Sequence, residues 1–296
     1  MSITLDHQLR EQIPREGKVF PVSYFYEELA TLINRISPLH WHPDFEIATA
    51  MSGVLDFQVG RQHIKLEAGD SIFVNKNILH RIKQVSGNDS DPMPNIVFSG
   101  EVIATENSAI YKKYIYPIEY CNTLPFIVFK GQNGWHGAVN DSAKNIYRQM
   151  QERGLCYEMA VQRELNRIFE LIFSNFESLP KFEATRININ AQIRLQKMLS
   201  YIYKHYSEIV TLEDIAGAAN ISCSEAGRCF NAYMGCSPVN ALIQYRLQIA
   251  CRMLGDETLT LQEISDCCGF HSVNYFSRQF KQVYGYTPGR IRFLGK

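Results

Sequence analysis

Over the first hundred residues, apolar positions come in short runs or alternate with polar ones. Glu46–Ala50, Val54–Val59, His63–Leu66, Ser71–Val74 and Ile96–Phe98 are such runs, punctuated by Gly53, Gly60, Gly69 and the Ser86–Gly87–Asn88–Asp89 cluster. Short strands at this spacing, bounded by turn residues, predict a small sandwich or barrel. Near Asp141 the period changes. Val161, Leu165, Ile168, Phe169, Ile172 and Phe176 fall at i, i+4, i+7, i+8, i+11 and i+15, one apolar face of a long helix. A shorter helix over Asp141–Glu152 precedes it, with Gly154 at the break, so the pair predicts an antiparallel helical hairpin. Its apolar face either packs on the β-domain or serves as a dimer surface. Glu177–Asn190 is polar, holds Pro180 and lacks periodicity, and reads as an interdomain linker.

From residue 191 onward the pattern repeats itself. Thr211-Leu212-Glu213-Asp214-Ile215 matches Thr260-Leu261-Gln262-Glu263-Ile264 at an offset of 49. Ser222, Arg228, Phe230, Gly235 and Pro238 match Ser272, Arg278, Phe280, Gly285 and Pro288 at an offset of 50. One supersecondary unit is used twice. In each copy a threonine stands three residues ahead of an acid, the spacing of a capping box that opens a helix. Asn220 or Gly269 then occupies the position where the chain turns through left-handed backbone, and Ser222 or Ser272 caps a second helix. Short helix, tight turn, second helix predicts a helix-turn-helix, whose second helix enters the major groove. Between the copies, Pro238–Leu254 reads as a helix of roughly 25 Å. With the width of the motifs, that spacer suits two probing helices about 34 Å apart, one turn of DNA. Core packing accounts for Phe230 and Phe280 but gives no reason for the arginine two residues before each.

Composition adds bounds. A chain of 296 residues holds two domains, and 46% hydrophobic with 20% charged residues is ordinary for a globular protein. The polar Met1–Gly17 stretch has no apolar core of a secretory signal, and no run of about 18 apolar residues predicts a membrane span. A cytoplasmic location is the expectation, with no membrane partner. The eight cysteines show no C-x-x-C pair and no zinc spacing, so they read as buried thiols of a reducing compartment. Net charge is zero, but residues 1–190 hold 19 Lys/Arg against 22 Asp/Glu and residues 191–296 hold 11 against 8. The excess of base in the second part leans toward nucleic acid.

The segment Ile264–Pro288 (ISDCCGFHSVNYFSRQFKQVYGYTP) resembles the signature of the AraC/XylS family of bacterial transcription regulators, and the resemblance extends over the last hundred residues. It implies that double-stranded DNA is met by the second helix of each motif. By position the DNA-facing residues are Ser224, Gly227 and Arg228 in the first copy, and Val273, Asn274, Ser277 and Arg278 in the second. Gly227 has no side chain to offer, so the first motif is expected to read bases less than the second.

The segment Pro38–Gly53 (PLHWHPDFEIATAMSG) contains His40-x-His42-x3-Glu46, and Gly69 leads on to Asn75, Asn77 and His80. These two stretches resemble the motifs of the cupin barrel. In metal-binding cupins the residues matching His40, His42, Glu46 and His80 hold one divalent ion, a donor set that suits iron, manganese, nickel or zinc. Asn75 and Asn77 depart from the pattern, standing where cupins usually show Pro and Gly. Two readings stand: no cofactor is required and the histidines hydrogen-bond a polar ligand or each other, or the pocket holds a divalent metal. Aromatic residues are plentiful nearby (Tyr24, Tyr26, Trp41, Phe45, Phe57, Phe73); most read as core, and one at the mouth, such as Trp41, could stack on a sugar ring.

The expected fold is α+β and multidomain, a cupin-like β-barrel with C-terminal helices followed by an all-α double helix-turn-helix domain. The expected divisions are a sensing domain over 1–140, the hairpin and candidate dimerisation element over 141–176, a linker over 177–190 and a DNA-binding domain over 191–296. The chain reads as a regulator, not an enzyme, that responds to a small ligand, carbohydrate being one class. Its expected partners are DNA, that effector, a second copy in a homodimer and, for an activator, RNA polymerase. The rival is a metal-dependent cupin oxygenase or isomerase fused to a DNA-binding domain.

Overall fold

The computed structural model describes residues 20–27, 35–87, 93–131, 133–181, 186–256 and 258–294, with 6, 9–13 and 29 besides. Asn88 and Asp89 of the expected turn cluster, and residues 182–185 of the expected linker, lie outside the described residues. The chain divides into two compact units, residues 1–189 and 190–296.

The first unit opens with β1 (Val22–Glu27), β2 (Phe45–Thr49), β3 (Val54–Val59), β4 (Gln62–Glu67), β5 (Ser71–Val74), β6 (His80–Ser86) and β7 (Met93–Phe98). A π-helical turn at Tyr111–Ile115 runs into α1 (Tyr116–Glu119), followed by β8 (Phe126–Phe129) and the helices α2 (Gly134–Glu152) and α3 (Tyr157–Ser174). The strands form an antiparallel five-stranded sheet in the order β1-β7-β2-β5-β8 and a three-stranded sheet β4-β3-β6. The two sheets are not closed into a barrel, which corrects that expectation. Among the described residues, the free edge of β6 takes isolated bridges from Ile36 to Lys83 and from His40 to His80.

Because side chains alternate along a strand, the large sheet presents two apolar faces. Ala48, Ile72 and Val74 join Leu55, Phe57, Leu66 and Ile82 in the layer between the sheets. Phe45, Ile47, Phe73, Ile96 and Phe98 face the other way and meet α2 and α3. Strands β2, β5 and β7 are therefore buried along their whole length.

The apolar face of α3 is spent inside the unit. Val161, Leu165, Ile168, Phe169 and Ile172 are buried, and the Phe169 ring lies 5.4 Å from that of Phe45 and 5.9 Å from that of Phe73. This overturns its reading as a dimer surface, since a stripe already packed on its own sheet has no area left for a second copy. Helix α2 starts at Gly134, seven residues before the periodicity announced it; Gly134 and Gly137 disguise its first turn, and Val139 in the next is fully buried.

The second unit is helical: α4 (Arg186–His205), α5 (Leu212–Ala218), α6 (Cys223–Met234), α7 (Pro238–Met253), α8 (Leu261–Cys267), α9 (Val273–Tyr284) and α10 (Pro288–Leu294). Helix α4 begins inside the stretch read as linker, so the helical structure reaches further towards the N-terminus than the polar composition suggested. Both capping boxes form. Thr211 N donates to Asp214 Oδ2 at 2.9 Å and Asp214 N to Thr211 Oγ1 at 3.1 Å; Thr260 and Glu263 repeat the pair at 2.7 and 3.2 Å. The turns follow at Asn220 (φ 54°) and Gly269 (φ 75°), both left-handed. Ser222 and Ser272 cap α6 and α9, and Gly235 and Gly285 end them in left-handed backbone. Helix α7 packs against α5, α6, α8 and α9, so the spacer is the common wall of both motifs.

Candidate functional site

In the first unit, the segment carrying His40 and His42 runs beside the start of β6. His40 N donates to His80 O at 3.0 Å, and His80 N returns a bond to His40 O at 2.9 Å. That exchange puts the two rings 4.2 Å apart, while Glu46 reaches them from β2. The donor atoms of His40, His42, Glu46 and His80 all lie within 4.8 Å of one another, and all four residues are buried. The spacing in the sequence and the assembly in space agree. Trp41 is not brought into this group: alternation turns it away from His40 and His42, and its ring lies 5.9 Å from the Arg10 guanidinium. Phe45 and Phe73 face α3, whereas Phe57 stacks on His80 at 6.1 Å.

Each histidine is oriented by its own backbone. Nδ1 lies 2.9 Å from Pro38 O in His40, 2.9 Å from Asp44 O in His42 and 2.8 Å from Ile78 O in His80. A carbonyl only accepts, so each Nδ1 carries a hydrogen and a neutral ring presents the lone pair of Nε2. His42 Nε2 stands 3.2 Å from Glu46 Oε2, and His80 Nε2 stands 2.8 Å from the same oxygen without hydrogen-bond geometry. Lone pairs facing a carboxylate repel unless a cation, a proton or a metal, sits among them. The donor set therefore fits a divalent ion, with the second-shell carbonyl contacts that fix the tautomer of a metal-ligating histidine. Burial, followed by the charge of His80, holds His40 well below the usual imidazole range. Burial alone would raise Glu46, but the facing His80 and His42 hold its carboxyl well below the usual range.

Asn75 and Asn77 explain their departure from the cupin pattern. Asn77 adopts φ 60°, a left-handed conformation that Asn tolerates better than most residues, so it does the work of the glycine. Asn75 is buried and donates from Nδ2 to Ile118 O at 2.8 Å and to Leu124 O at 3.1 Å, tying the β5 end to the α1 region. Asn77 N donates to His42 O at 2.9 Å, so this turn holds the segment that carries the cluster.

Sequence reasoning missed Glu11. It is 7% exposed, and its Oε2 lies 3.9 Å from His40 Nε2. Burial, then the charge of Glu46, pushes its carboxyl up to about 7. Nothing in the polar Leu9-Arg10-Glu11 stretch announces it, because backbone pairing with Trp41, not periodicity, brings it in. Glu11 also lines a cavity of about 530 Å³, together with Arg10, Asp44, Lys76 and Ser99.

In the second unit the recognition helices face outward. Ser224 and Arg228 of α6 are exposed, with Arg228 Nη1 3.4 Å from Ser224 Oγ, while Ala226, Cys229, Phe230 and Tyr233 turn inward. On α9, Asn274 and Arg278 are exposed, Val273 and Ser277 half-buried, and Phe276 and Phe280 fully buried. Tyr275 beside them is exposed, with the Arg278 guanidinium 5.3 Å from its ring, and Glu225 of α6 forms an ion pair with Arg194 of α4. Among the described residues no helix is long and apolar enough to cross a membrane.

Two domain families match the chain, the helix-turn-helix domain over residues 215–293 and the cupin domain over residues 33–90. The HTH-type transcriptional regulator YdeC of Bacillus subtilis (strain 168) is 27% identical over 292 residues, 97% of each chain. The transcriptional activator NphR of a Rhodococcus species is 40% identical over 83 residues, 28% of this chain and 24% of that protein. A solved AraC-type regulator from Chromobacterium violaceum is 26% identical and covers 36% of this chain and 94% of its own, with a TM-score of 0.34. The chain is a DNA-binding transcription regulator. Its helix-turn-helix domain is of the AraC type, with a cupin domain ahead of it.

Proposed function

We propose that the cupin unit is a sensor that holds a divalent metal ion on His40, His42, Glu46 and His80 and takes a small polar effector in the adjoining cavity, and that occupancy changes the affinity of the helix-turn-helix unit for its operator. The observation that carries this is the buried cluster of three imidazoles and a carboxylate, all aimed inward by backbone carbonyls. An ion held there would supply an electrophilic centre for an oxygen-bearing ligand. The cavity of about 530 Å³ lies in the size range of small-molecule sites, and its charged lining of both signs suits a polar, hydroxyl- or carboxylate-bearing molecule. To act as a switch, the ligand must bind the two DNA-affinity states with different strength.

Metal analysis of chelator-free protein, with operator gel shifts before and after chelation, tests the reading. One equivalent of a divalent ion per chain and an operator affinity that changes when the ion is removed are the expected results. A protein that carries and rebinds no ion, or whose operator affinity ignores both the ion and added polyhydroxy compounds, would refute it. The enzyme alternative needs the same four ligands, and turnover of a small substrate by the metal-loaded protein would favour it.

A further inference from the structure

The four-residue cluster has an unaccounted neighbour. Glu11 is held beside it by the backbone: Glu11 N donates to Trp41 O at 2.9 Å, and Trp41 N donates to Leu9 O at 3.1 Å. Trp41 lies between His40 and His42, so the same short segment that carries two of the imidazoles also sets the position of Glu11. The anchor is firm, because Leu9 is completely buried. The Glu11 side chain is 6% exposed, and its Oε2 approaches His40 Nε2 to 3.9 Å.

We propose that Glu11 is the charge-balancing carboxylate of the metal centre, closing it on the His40 side, where the polar cavity begins. The proposal rests on the reading of His40, His42, Glu46 and His80 as a divalent-ion site. Its physical basis is a count of charge. With neutral imidazoles, Glu46 and Glu11 place two negative charges on side chains that are almost wholly buried, an arrangement that is costly without compensation. A proton compensates one of them; a divalent ion compensates both and leaves the buried set neutral. Bonds of about 2.0–2.2 Å from nitrogen or oxygen to a first-row ion put two donors on one ion at most about 4.4 Å apart. The 3.9 Å between Glu11 and His40 falls inside that span, and since the set whose donors all lie within 4.8 Å of one another is His40, His42, Glu46 and His80, Glu11 stands at its rim, beside His40. Imidazole with two carboxylates is a donor chemistry for first-row divalent ions such as manganese, iron or zinc. Since Glu11 also lines the cavity, it stands between the ion's site and any molecule entering from that side.

The test uses the full chain, stripped by chelation and titrated with Zn²⁺ or Mn²⁺ alone, as wild type and as Glu11→Gln. Affinity is read by competition with a chromogenic chelator, and melting temperature is read with and without the ion. The substitution is expected to weaken binding of the ion at least tenfold and to shrink the ion-induced rise in melting temperature. The metal-free variant should melt no lower than the metal-free wild type, because removing one of two facing carboxylates relieves repulsion. Equal affinity of wild type and variant overturns the role of Glu11 while leaving the four-ligand site standing. A wild type that binds neither ion overturns both readings. A metal-free variant that melts well below the wild type marks Glu11 as a packing residue and also overturns the proposal.

Discussion

Arg246 and Gly269 meet over one carbonyl oxygen, that of Tyr206. Arg246 Nε donates to it at 2.6 Å, and Arg246 Nη2 donates to Glu208 O at 2.7 Å. A Cβ on Gly269 would stand 2.6 Å from the Tyr206 oxygen and 3.0 Å from Arg246 Nη2. Tyr206 follows α4, Arg246 belongs to α7, and Gly269 is the turn of the second motif. The junction thus ties the second motif to the frame that carries the first.

Gly269→Ala should be strongly destabilising. Left-handed backbone at a non-glycine residue costs about 1–3 kcal/mol, and the approach to a backbone oxygen adds to it. Gly217→Ala is the control: it lies within α5, has nothing within 4 Å of an added Cβ, and should gain about 0.5–1 kcal/mol. Denaturant midpoints compare the two, and similar values would show that the Tyr206 contact does not constrain position 269. Arg246→Ala should cost roughly 1.5–3 kcal/mol by stranding two carbonyls. It should also loosen the dependence of operator binding on half-site spacing, which gel shifts on spacing variants would reveal.

Arg278→Ala should weaken operator binding by about 1–3 kcal/mol and relax the preference for one base, if its guanidinium reads a guanine edge. Arg228→Ala should instead lower affinity evenly across sequences, as loss of a phosphate contact does. Gel shifts against operator and scrambled DNA separate the two. Unchanged affinity in both variants would remove these residues from the interface.

The second motif's first helix depends on its cap. Thr260→Ala should cost about 0.5–2 kcal/mol of unfolding free energy, measured in urea. The Glu263 carboxyl is held below its usual range by the Thr260 backbone N–H and then the hydroxyl; Asp214 is held down by the Thr211 hydroxyl and then its N–H. A lowered folded-state value means that this stabilisation is present above the unfolded carboxylate range and is lost as pH falls through the lower one. Stability of wild type should therefore drop more steeply between about pH 5 and pH 3 than that of a Thr211→Ala, Thr260→Ala double variant. Parallel curves would argue against the capping bonds.

Phe169→Ala should cost about 3–5 kcal/mol, the range for a large aromatic removed from a packed core. The reason is its contact with Phe45, Phe73 and Phe98 across the sheet face. Phe169→Glu should unfold the first unit, not merely separate two copies. Circular dichroism with sedimentation distinguishes these outcomes, and a folded monomeric Glu variant would return α3 to the dimer surface.

What was legible in the residues follows rules that act over a few positions. Capping boxes, left-handed turn sites and N-terminal prolines of helices depend on neighbours in the chain, so Thr211, Asn220, Gly269 and Pro238 announced both motifs before any coordinate did. The four cluster residues were legible through the resemblance to the cupin motifs, and alternation along the segment places two of them, His40 and His42, on one side. Strand β6 was not, because its inward residues include His80 and Gln84 and leave no apolar alternation to see.

The sequence by itself determined the duplicated helical unit and the outward arginines, because short-range backbone geometry and side-chain period suffice for both, and it named the histidines through their resemblance to the cupin motifs. Only the tertiary structure decided that the α3 stripe covers its own sheet, that the sheets stay open, and that Glu11 joins His40. Those outcomes turn on which distant surfaces meet, and an apolar stripe or a buried acid has no mark in the chain naming its partner.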